Sequence, residues 1–404
     1  MKYSQEEVLQ YVLEEDVKFI RLAFCDVFGR QKNIAIMSSE LKRAFDSGIA
    51  IDASAIGGFG GEVRSDLLLH PDPSTLVQLP WRPEQGKVTR MFCDITYPDG
   101  KPFEGDTRHI LKQAAAAAEK MGYSFSFGSE MEFYLFKLDE HGEPTKIPYD
   151  GAGYMDIAPE DRGENVRREI CLMLEQMGIR PESSHHESGP GQNEIDFRYS
   201  DPLNAADNAV TFHAVVKTVA AQNGLCADFS PKPLPDKDGN GMHINISAKG
   251  AGKPDPLHHV IAGILAHVAD MTVFLNPCEG SYDRLGNNKA PSHITWSGEN
   301  RSQLIRIPAA AGEFRRAELR SPDPTANPYL AFALVIYAGL FGIEQQLMPP
   351  KAADFNIFNA PAEVLASYKK LPTSLHEAMA IAASSDFIRE HLSNTVISAY
   401  CKNC

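Results

Sequence analysis

The most constraining feature of this 404-residue sequence is a segment in which acidic residues alternate with apolar ones directly after a tight turn. Residues 182–199 contain a His-His-Glu cluster, a Gly-Pro-Gly turn, and then Glu194 and Asp196 alternating with Ile195 and Phe197. This alternation predicts a β-strand with both acids on one face. Buried acids are costly unless a cation lies between them, so the pattern indicates a site for a hard divalent ion. A polar hairpin with a solvated acidic face is the alternative.

A second segment repeats the pattern. Residues 124–136 alternate so that Glu130 and Glu132 project to the same side, about 7 Å apart, with Met131 and Phe133 on the other side. The many aromatic residues around them indicate a buried sheet rather than a solvated edge. Two like charges in that setting repel each other unless they share a cation.

Two further segments also place polar residues on one face. The first segment has His243, Asn245 and Ser247 on that face, and the second has Arg316, Glu318 and Arg320. A lone histidine is usually structural, and arginines beside a glutamate can form a simple ladder of ion pairs. Guanidinium groups also match phosphate oxygens, so the second interpretation is a phosphate site beside metal ligands.

Composition excludes several classes of protein. The net charge of −14 and the absence of a Lys/Arg-rich block argue against a nucleic-acid partner. The seven cysteines are scattered, which is typical of free thiols in a reducing compartment. The acidic N-terminus does not resemble a signal peptide, and the apolar run at residues 329–343 is too short to span a bilayer. We therefore predict a soluble cytoplasmic protein with no membrane partner.

The order of elements predicts an α+β protein with a small N-terminal unit. We predict helices at residues 4–14, 107–121, 164–177 and 204–222, and strands at 17–24 and 89–97. Residues 50–62 form a glycine-rich segment without the Gly-Lys-Ser/Thr ending of a phosphate loop, so we expect a mobile loop that holds Asp52. Residues 66–83 are rich in proline and are expected to be irregular, and 98–105 are expected to be a linker.

Five ordered sequence blocks resemble the signature of the glutamine synthetase family, class I. The blocks are Gly128–Phe133, His185–Glu194, Lys232 with Gly239–His243, Asn300–Ser302 with Arg306, and Arg316–Arg320 through Asn327–Tyr329. They cover nearly the whole chain, and a chance match in this order is very improbable.

The resemblance implies a β-grasp-like domain at residues 1–100 and a catalytic domain at 105–404, with a curved antiparallel sheet flanked by helices. Class I members form homo-oligomers, either a hexameric ring or a dodecamer of two rings, in which neighbouring subunits share sites. Asp52 would then act in the neighbouring site. The chain ends at Cys404, before the segment that latches opposing rings, so ring pairing is left open. Phe358 falls where some members have a tyrosine that is adenylylated, so that control is not expected.

The resemblance also assigns roles to individual residues. It implies two or more divalent ions, Mg²⁺ or Mn²⁺, with one ion on Glu132, Glu187 and Glu194 and a second on Glu130, His243 and Glu318. Glu182, Ser247, Arg301 and Arg306 would bind ATP, and Arg320 would stabilise the phosphoryl group during transfer. Arg284, Gly239 and Tyr154 would bind the amino-acid substrate. Asp52, Arg301 and Arg320 are the expected catalytic residues.

The family reaction implied is the ATP-dependent synthesis of glutamine from glutamate and ammonia through a γ-glutamyl phosphate. The acceptor pocket departs from the family pattern. Ala55 replaces a serine, Asn245 replaces a common histidine, and Lys289 lies where the flap has a glutamate, in a segment shorter by one residue. A cation there should weaken ammonium binding by electrostatic repulsion.

Four functional hypotheses follow. The first is a glutamine synthetase whose flap works differently. The second is a related γ-glutamyl ligase that uses another amine or a glutamate-like acid. The third is a structural or regulatory member without catalysis, and the fourth is a metal-dependent hydrolase that needs no ATP. The complete set of metal, phosphate and glutamate positions favours the first.

Overall fold

The computed structural model describes residues 3–60, 66–287, 289–309, 312 and 315–402. The N-terminal part begins with a helix and then forms a small sheet. Its elements are α1 (Gln5–Glu14), β1 (Val17–Cys25), β2 (Gln31–Met37), α2 (Leu41–Ser47), β3 (Ile49–Asp52), β4 (Asp66–Pro71), β5 (Val77–Gln78) and β6 (Lys87–Thr96). The strand order is β2-β1-β6-β4-β3, with β5 pairing with β6.

Two predictions for this part were wrong. Asp52 does not lie in a loop, because it is the last residue of β3, where it pairs with Asp66 of β4. Residues 66–71 form β4 although the segment is rich in proline, since Pro71 is the last residue of the strand. Residues 61 and 62 of the predicted loop lie outside the described residues.

The larger part of the chain alternates helices with the strands of a second sheet. Its elements are α3 (Thr107–Lys120), β7 (Tyr123–Leu138), β8 (Pro144–Pro148), α4 (Glu164–Gln176), β9 (Pro181–His186), β10 (Gln192–Phe197), α5 (Pro202–Gln222), β11 (Leu225–Asp228), β12 (Met242–Gly250), α6 (Leu257–Leu275), α7 (Glu279–Arg284), β13 (Trp296–Ser297), β14 (Ile305–Arg306), β15 (Ala317–Leu319), α8 (Pro328–Glu344), α9 (Ala362–Leu365), α10 (Leu375–Ser384), α11 (Asp386–His391) and α12 (Asn394–Cys401).

The second sheet has the order β13-β14-β15-β12-β7-β10-β9, and β8 and β11 also pair with β7. All of its described pairs are antiparallel except β13 with β14. The predicted α+β fold with a mainly antiparallel catalytic sheet is therefore confirmed. The predicted division into two domains at about residue 100 stays a prediction.

The two faces of the sheet differ in chemistry. Met131 and Phe133 of β7 are buried in the apolar core, together with residues of α5 and α8. The intervening residues of β7, Glu130 and Glu132, project to the opposite face. The core face therefore fixes the register of the strand, and this register places the acids.

Helices α6 and α8 pack very closely against each other. A Cβ atom on Gly263 would lie 1.9 Å from the carbonyl oxygen of Ala338, so a larger residue would separate the helices. Helix α6 is long and apolar enough to cross a membrane by length and composition, but 61% of its most apolar window is buried inside the protein. Core helices of globular proteins pass the same test, so α6 is weak evidence for a membrane span.

Most predicted elements agree with the structure to within a few residues. Helix α3 begins at Thr107 after Asp106, whose carboxylate accepts hydrogen bonds from the amides of Arg108 and His109. The strand at 181–186 was missed, because the sequence analysis treated its His-His-Glu cluster only as a polar group before the turn. None of the six described cysteines forms a disulfide bond, whereas Cys404 lies outside the described residues.

Candidate active site

Strand register brings the predicted acids together on one face of the large sheet. Glu132 of β7 lies directly across from Glu194 of β10, and Glu130 lies across from Asp196. On the other side of β7, Glu130 lies across from His243 of β12. The polar residues of three separate sequence blocks therefore share one surface.

One half of this surface combines acids with positive groups, and we call Glu130, His243, Glu318, Arg306 and Arg320 the arginine-side cluster. Ligand atoms of Glu130, His243 and Glu318 lie within 4.8 Å of one another. The Nδ1 atom of His243 is 3.2 Å from Glu130 Oε2 and 3.6 Å from Glu318 Oε1.

Glu318 is fully buried between two arginines. Arg306 and Arg320 each form an ion pair with its carboxylate, and all three side chains are largely shielded from water. Burial lowers the pKa of Arg306, although the charge of Glu318 opposes that effect. The Nε atom of Arg320 is buried and has no hydrogen-bond partner among the described residues, so the cluster retains a donor for an anion.

Glu130 is held in its charged form within this cluster. Burial raises the pKa of its carboxyl, but the hydrogen bonds from His243 and Asn245, with the charges of His243 and Arg320, outweigh burial and lower it to about 2. The Nδ2 group of Asn245 donates to Glu130 Oε1 at 2.8 Å. Asn245 thus supplies a donor at the position where the family often has histidine.

The other half consists mainly of acids, and we call Glu132, Glu187, Glu194 and Asp196 the acid-side cluster. Ligand atoms of His185, Glu187 and Glu194 lie within 4.8 Å of one another, and so do those of Glu130, Glu194 and Asp196. Glu132 accepts hydrogen bonds from the Gly241 amide at 2.8 Å and from Gln192 Nε2 at 3.2 Å. The neutral donors orient Glu132 without cancelling its charge.

The turn between β9 and β10 depends on glycine. A Cβ atom on Gly189 would lie 1.9 Å from the hydroxyl oxygen of Tyr134 and 2.8 Å from Gln192 Oε1. Gly189 also donates its amide to Gln192 Oε1 at 2.9 Å. The glycine therefore lets the turn pack against the sheet and holds Gln192 where it orients Glu132.

Electrostatic repulsion is evident in the acid-side cluster. Burial, with the charges of Glu132, Asp196, Glu130 and Glu187, raises the pKa of Glu194 well above its ordinary value. Burial and Glu130 raise the pKa of Asp196 to about 7, and burial also raises the pKa of Glu132. These groups favour protonation because burial and the neighbouring carboxylates together outweigh the positive charge of the described residues around them.

The donor set of both clusters fits divalent ions. Carboxylate oxygens and one imidazole are ligands that Mg²⁺ or Mn²⁺ accepts. Asp196 Oδ1 is buried and has no hydrogen-bond partner among the described residues, as expected for a ligand or for a group that orients one. A cation between the acids would remove the repulsion that raises their pKa values.

A cavity opens beside Glu130 and reaches the edge of the sheet. Its lining includes the predicted nucleotide residues Glu182 and Ser247, with Tyr199, Asn245 and Arg316. Ser247 Oγ donates to the carbonyl of Arg315 at 3.2 Å. Arg301 is exposed, and its charge contributes to lowering the pKa of Arg306. The cavity therefore leads from polar residues at the sheet edge to the arginine-side cluster.

Arg284 lies buried against the loop of Gly239. Its Nη1 atom donates to the carbonyl of Ser321 at 2.7 Å and its Nη2 atom to that of Arg320 at 3.3 Å. A Cβ atom on Gly239 would lie 2.9 Å from Arg284 Cγ, so the glycine is required for this close packing. Each Nη nitrogen carries two N–H groups, so Arg284 retains donors for a carboxylate.

The predicted acceptor residues are not all brought together. Tyr154 packs edge-on against His185, with ring centres 5.5 Å apart, and Lys289 Nζ lies 4.8 Å from the Tyr154 ring centre. Lys289 therefore does face the acid-side cluster. Asp52 is exposed on the N-terminal sheet, and the described hydrogen bonds of its carboxylate all come from Ser54. Hydrogen bonds from the Ser54 side chain and amide lower the pKa of Asp52.

Comparison with known proteins now decides the family. The profile of the glutamine synthetase catalytic domain matches residues 104–403, and that of the glutamine synthetase β-grasp domain matches residues 16–98. The chain belongs to the glutamine synthetase family.

Relatives in this family align over nearly their whole length. A glutamine synthetase of Clostridium saccharobutylicum is 44% identical over 99% of this chain and 94% of its own. One of Methanosarcina mazei is 46% identical over 98% of this chain and 92% of its own. Among solved structures, a GmaS complex with ADP and GmaS without ligand each align with a TM-score of 0.88 and 29% identity, over 98% of this chain and 94% of theirs.

Membership defines the class of chemistry. The protein is an ATP-dependent ligase of the glutamine synthetase type, and the family uses divalent metal ions and small-molecule substrates. Apart from Asp52, which lies in the region matched by the β-grasp profile, the predicted site residues lie in the region matched by the catalytic-domain profile. Their individual roles stay predictions.

Sequence reasoning missed some residues of this glutamine synthetase-type site. Asp196 was noticed beside Glu194 but was not predicted as a ligand, and Arg316 was considered as an ion-pair or phosphate-binding residue but was not assigned to the site. Arg316 Nε donates to Asn245 Oδ1 at 2.8 Å, and both side chains line the cavity. The available signal was position, because Asp196 and Arg316 each lie two residues from a predicted ligand on the same strand face.

Proposed function

We propose that this protein forms glutamine from glutamate and ammonia at the expense of ATP. The observation that carries the proposal is the convergence of five predicted metal ligands and two buried arginines on one sheet face, next to a cavity lined by Glu182 and Ser247. The sixth predicted ligand, Glu187, lies in the turn after β9, with a carboxylate oxygen within 4.8 Å of a ligand atom of Glu194. The relatives named glutamine synthetase, at 44% and 46% identity, support the same reaction.

The nucleotide would enter through the cavity, with its base and sugar near Glu182 and Ser247. Its phosphates would extend toward the arginine-side cluster, where Arg306 and Arg320 face inward and Arg301 is exposed nearby. Guanidinium groups bind phosphate oxygens through paired hydrogen bonds, which an acidic protein of net charge −14 needs at this point. Bound Mg²⁺ or Mn²⁺ would neutralise phosphate charge at Glu130, His243 and Glu318, and at Glu132, Glu187 and Glu194.

Glutamate would bind on the other side, with its α-carboxylate on Arg284 and its α-amino group at the loop of Gly239. Arg284 is 4% exposed, and two of its donors already hold the carbonyls of Ser321 and Arg320. This fixes the guanidinium in one orientation before the substrate arrives. Such preorganisation reduces the entropy lost on binding.

The reaction would proceed in two steps. In the first, an oxygen of the glutamate γ-carboxylate attacks the γ-phosphorus of ATP, an O–P bond forms, and ADP leaves. In the second, the nitrogen of ammonia attacks the acyl carbon, a C–N bond forms, the C–O bond to phosphate breaks, and the proton that the nitrogen loses passes to the released phosphate. Arg320 would stabilise the phosphoryl group during transfer, because preorganised donors act where charge develops.

A second candidate is a γ-glutamyl ligase that accepts a larger primary amine. It is favoured by Lys289, whose ammonium group lies beside Tyr154 and Glu187, and by Ala55, which lacks the hydroxyl expected at that position. The structural similarity to GmaS is compatible with this candidate. The closer sequence similarity to proteins named glutamine synthetase favours ammonia as the acceptor.

The experiment that separates these candidates is phosphate release from ATP with Mg²⁺ and glutamate. Ammonium is compared with a panel of primary amines, and a reaction without amine is the control. Saturable release that needs ammonium supports glutamine synthesis, and release only with a larger amine supports the second candidate. If no amine leads to phosphate release from ATP, both candidates are contradicted and the hypothesis of a member without catalysis is supported. Release of phosphate from a phosphoester without ATP would indicate a hydrolase.

We also propose that the protein is a cytoplasmic homo-oligomer, a hexameric ring or a dodecamer, whose sites are shared between neighbours. Asp52 supports this arrangement, because it is exposed on the N-terminal sheet and the described hydrogen bonds of its side chain all come from Ser54. A mixture of Asp52→Ala and Glu132→Ala subunits should therefore regain activity that neither variant has alone. Absence of recovery in mixed rings, verified by differential tagging, contradicts the shared site.

A further inference from the structure

Lys289 contributes a primary ammonium group to the edge of the acid-side cluster. Its Nζ atom lies 3.3 Å from Glu187 Oε2 and donates to Ser188 Oγ at 2.7 Å. The same atom lies 4.8 Å from the centre of the Tyr154 ring. A carboxylate, a hydroxyl and an aromatic face therefore surround one cation, which is the combination that binds small cations in proteins.

The ion pair has two unequal members. The side chain of Glu187 is 10% exposed, whereas that of Lys289 is 58% exposed. Glu187 is held in place, because the amide of Ser188 donates to its Oε2 atom at 2.8 Å. Lys289 can move into solvent by rotation of its side chain, so the pair can open without a change in the fold.

Glu187 lies next to other carboxylates, so the charge of Lys289 affects the whole acid-side cluster. Glu187 and Glu194 have carboxylate oxygens within 4.8 Å of each other, so their negative charges repel at close range. A positive charge next to Glu187 reduces the repulsion in the cluster. A divalent ion bound to Glu187 would do the same and would repel the ammonium group of Lys289.

We propose that Lys289 is an internal cation that a divalent metal ion must displace from Glu187. The displacement lowers the affinity of the acid-side cluster for metal and uncovers the face of Tyr154. An acceptor amine can approach that face only after the lysine has left it. This inference rests on the proposed function in one respect, namely that the acid-side cluster binds a divalent metal.

The first test is Mn²⁺ binding followed by electron paramagnetic resonance, without ATP, glutamate or amine. Lys289→Gln should bind Mn²⁺ about two- to five-fold more tightly than the wild type, because the exposed pair contributes modestly. Lys289→Arg should stay close to the wild type, since it keeps the charge. Lys351→Gln, at an exposed position, removes the same charge elsewhere and should change little. The effect of Lys289→Gln should decrease as salt increases.

The second test measures the displacement in the wild-type protein. Acylation of Lys289 by an amine-reactive reagent is followed by mass spectrometry, with Lys351 as the internal reference. Lys289 should react several-fold faster with saturating Mn²⁺ than in chelator, because its ammonium group leaves Glu187. Equal reaction rates, or weaker Mn²⁺ binding by Lys289→Gln, overturn the proposal.

These readouts are independent of the reaction. If Lys289→Gln binds Mn²⁺ more tightly but the protein has no ligase activity, the proposed function is contradicted and the displacement of Lys289 is still supported. If the protein has ligase activity but Lys289→Gln has the Mn²⁺ affinity of the wild type, the proposed function is supported and the displacement of Lys289 is contradicted. Circular dichroism of each variant verifies that it is folded before binding is compared.

Discussion

The arginine-side and acid-side clusters share one sheet face but balance charge in opposite ways. On the arginine side, Glu318 is fully buried between two guanidinium groups and close to His243. On the acid side, Glu194 and Asp196 are surrounded mainly by other carboxylates, and their pKa values are raised. The contrast indicates that one half is already balanced by the protein, while the other half needs a bound cation.

This difference has a functional consequence. An anion such as a phosphate is stabilised where buried guanidinium groups keep a donor that is not yet used, as the Nε atom of Arg320 does among the described residues. A divalent cation is stabilised where acids lack positive partners. The two halves are adjacent through Glu130, so the metal and the phosphate can be held side by side. Variants that remove charge from one half or the other test this contrast directly.

The largest effect is expected for Arg320→Ala on the arginine side. The substitution leaves the buried carboxylate of Glu318 with one arginine fewer and should cost about 3–5 kcal/mol of unfolding free energy. Phosphoryl transfer should also slow by about 100-fold or more. Urea unfolding in chelator and the phosphate-release assay measure the two effects.

Arg301→Ala is the matched control for that prediction, because Arg301 is exposed. Its unfolding free energy should change by less than about 0.5 kcal/mol, since surface substitutions rarely do more. If both variants lose the same unfolding free energy, the loss in Arg320→Ala is not caused by removal of a positive charge beside Glu318.

Glu194→Gln on the acid side should raise the free energy of unfolding, whereas Arg320→Ala should lower it. The amide removes a buried charge that other carboxylates repel, so the metal-free protein should gain about 1 kcal/mol. Affinity for Mn²⁺ should fall by about ten-fold or more, because a predicted ligand is lost. Urea unfolding in chelator and Mn²⁺ titration test the pair of effects, and destabilisation without metal contradicts the contrast.

The acid side should also give a pH dependence of known sign. The pKa of Asp196 is raised to about 7 from an ordinary value of 3.8, so between these values the folded state binds more protons than the unfolded state. Stability contributed by protonated Asp196 is therefore lost as pH rises from about 4 to 7. In chelator, the advantage of Asp196→Asn over the wild type should grow by about 1–2 kcal/mol across that range.

Saturating Mg²⁺ is the control for the pH prediction, because a bound cation removes the repulsion that keeps Asp196 protonated. The advantage of Asp196→Asn should then disappear or reverse. An advantage that does not change with pH in chelator shows that Asp196 is ionised throughout, contrary to the prediction.

The smallest effect is expected for the stability of Lys289→Gln. The ion pair with Glu187 involves a lysine that is 58% exposed, and such pairs contribute about 0–1 kcal/mol. Urea unfolding in chelator should therefore show a loss below about 1 kcal/mol. A loss as large as that of Arg320→Ala would mean that Lys289 neutralises the buried negative charge of the acid-side cluster, as the arginines neutralise that of Glu318.

Much of the fold could be predicted from local patterns. The alternation in β7 and β10 predicted both strands and the face that carries the acids, and the helix at 107–120 followed from its cap and its apolar spacing. Strands β3 and β4 could not be predicted, because they are short and are flanked by glycine and proline. Their formation depends on pairing with each other and with β6, which local sequence does not encode.

The site could be predicted only in part for a related reason. Local alternation indicates that Glu130 and Glu132 share a face, but not that Glu132 lies across from Glu194. Nor could it place Lys289, because the shorter flap made its alignment ambiguous, and the structure places its ammonium group 3.3 Å from Glu187 Oε2. Such contacts depend on strand register and loop path, which are set by packing of the whole domain.

The most direct test of the contrast between the two halves is anomalous diffraction from crystals grown with Mn²⁺ and ADP. We expect Mn²⁺ peaks on the acid-side carboxylates of Glu132, Glu187 and Glu194 and beside Glu130 and His243, with the ADP phosphates facing Arg306 and Arg320. Lys289 should have moved away from Glu187. An acid-side cluster without Mn²⁺ at saturating concentration, with Lys289 still paired to Glu187, would contradict the account.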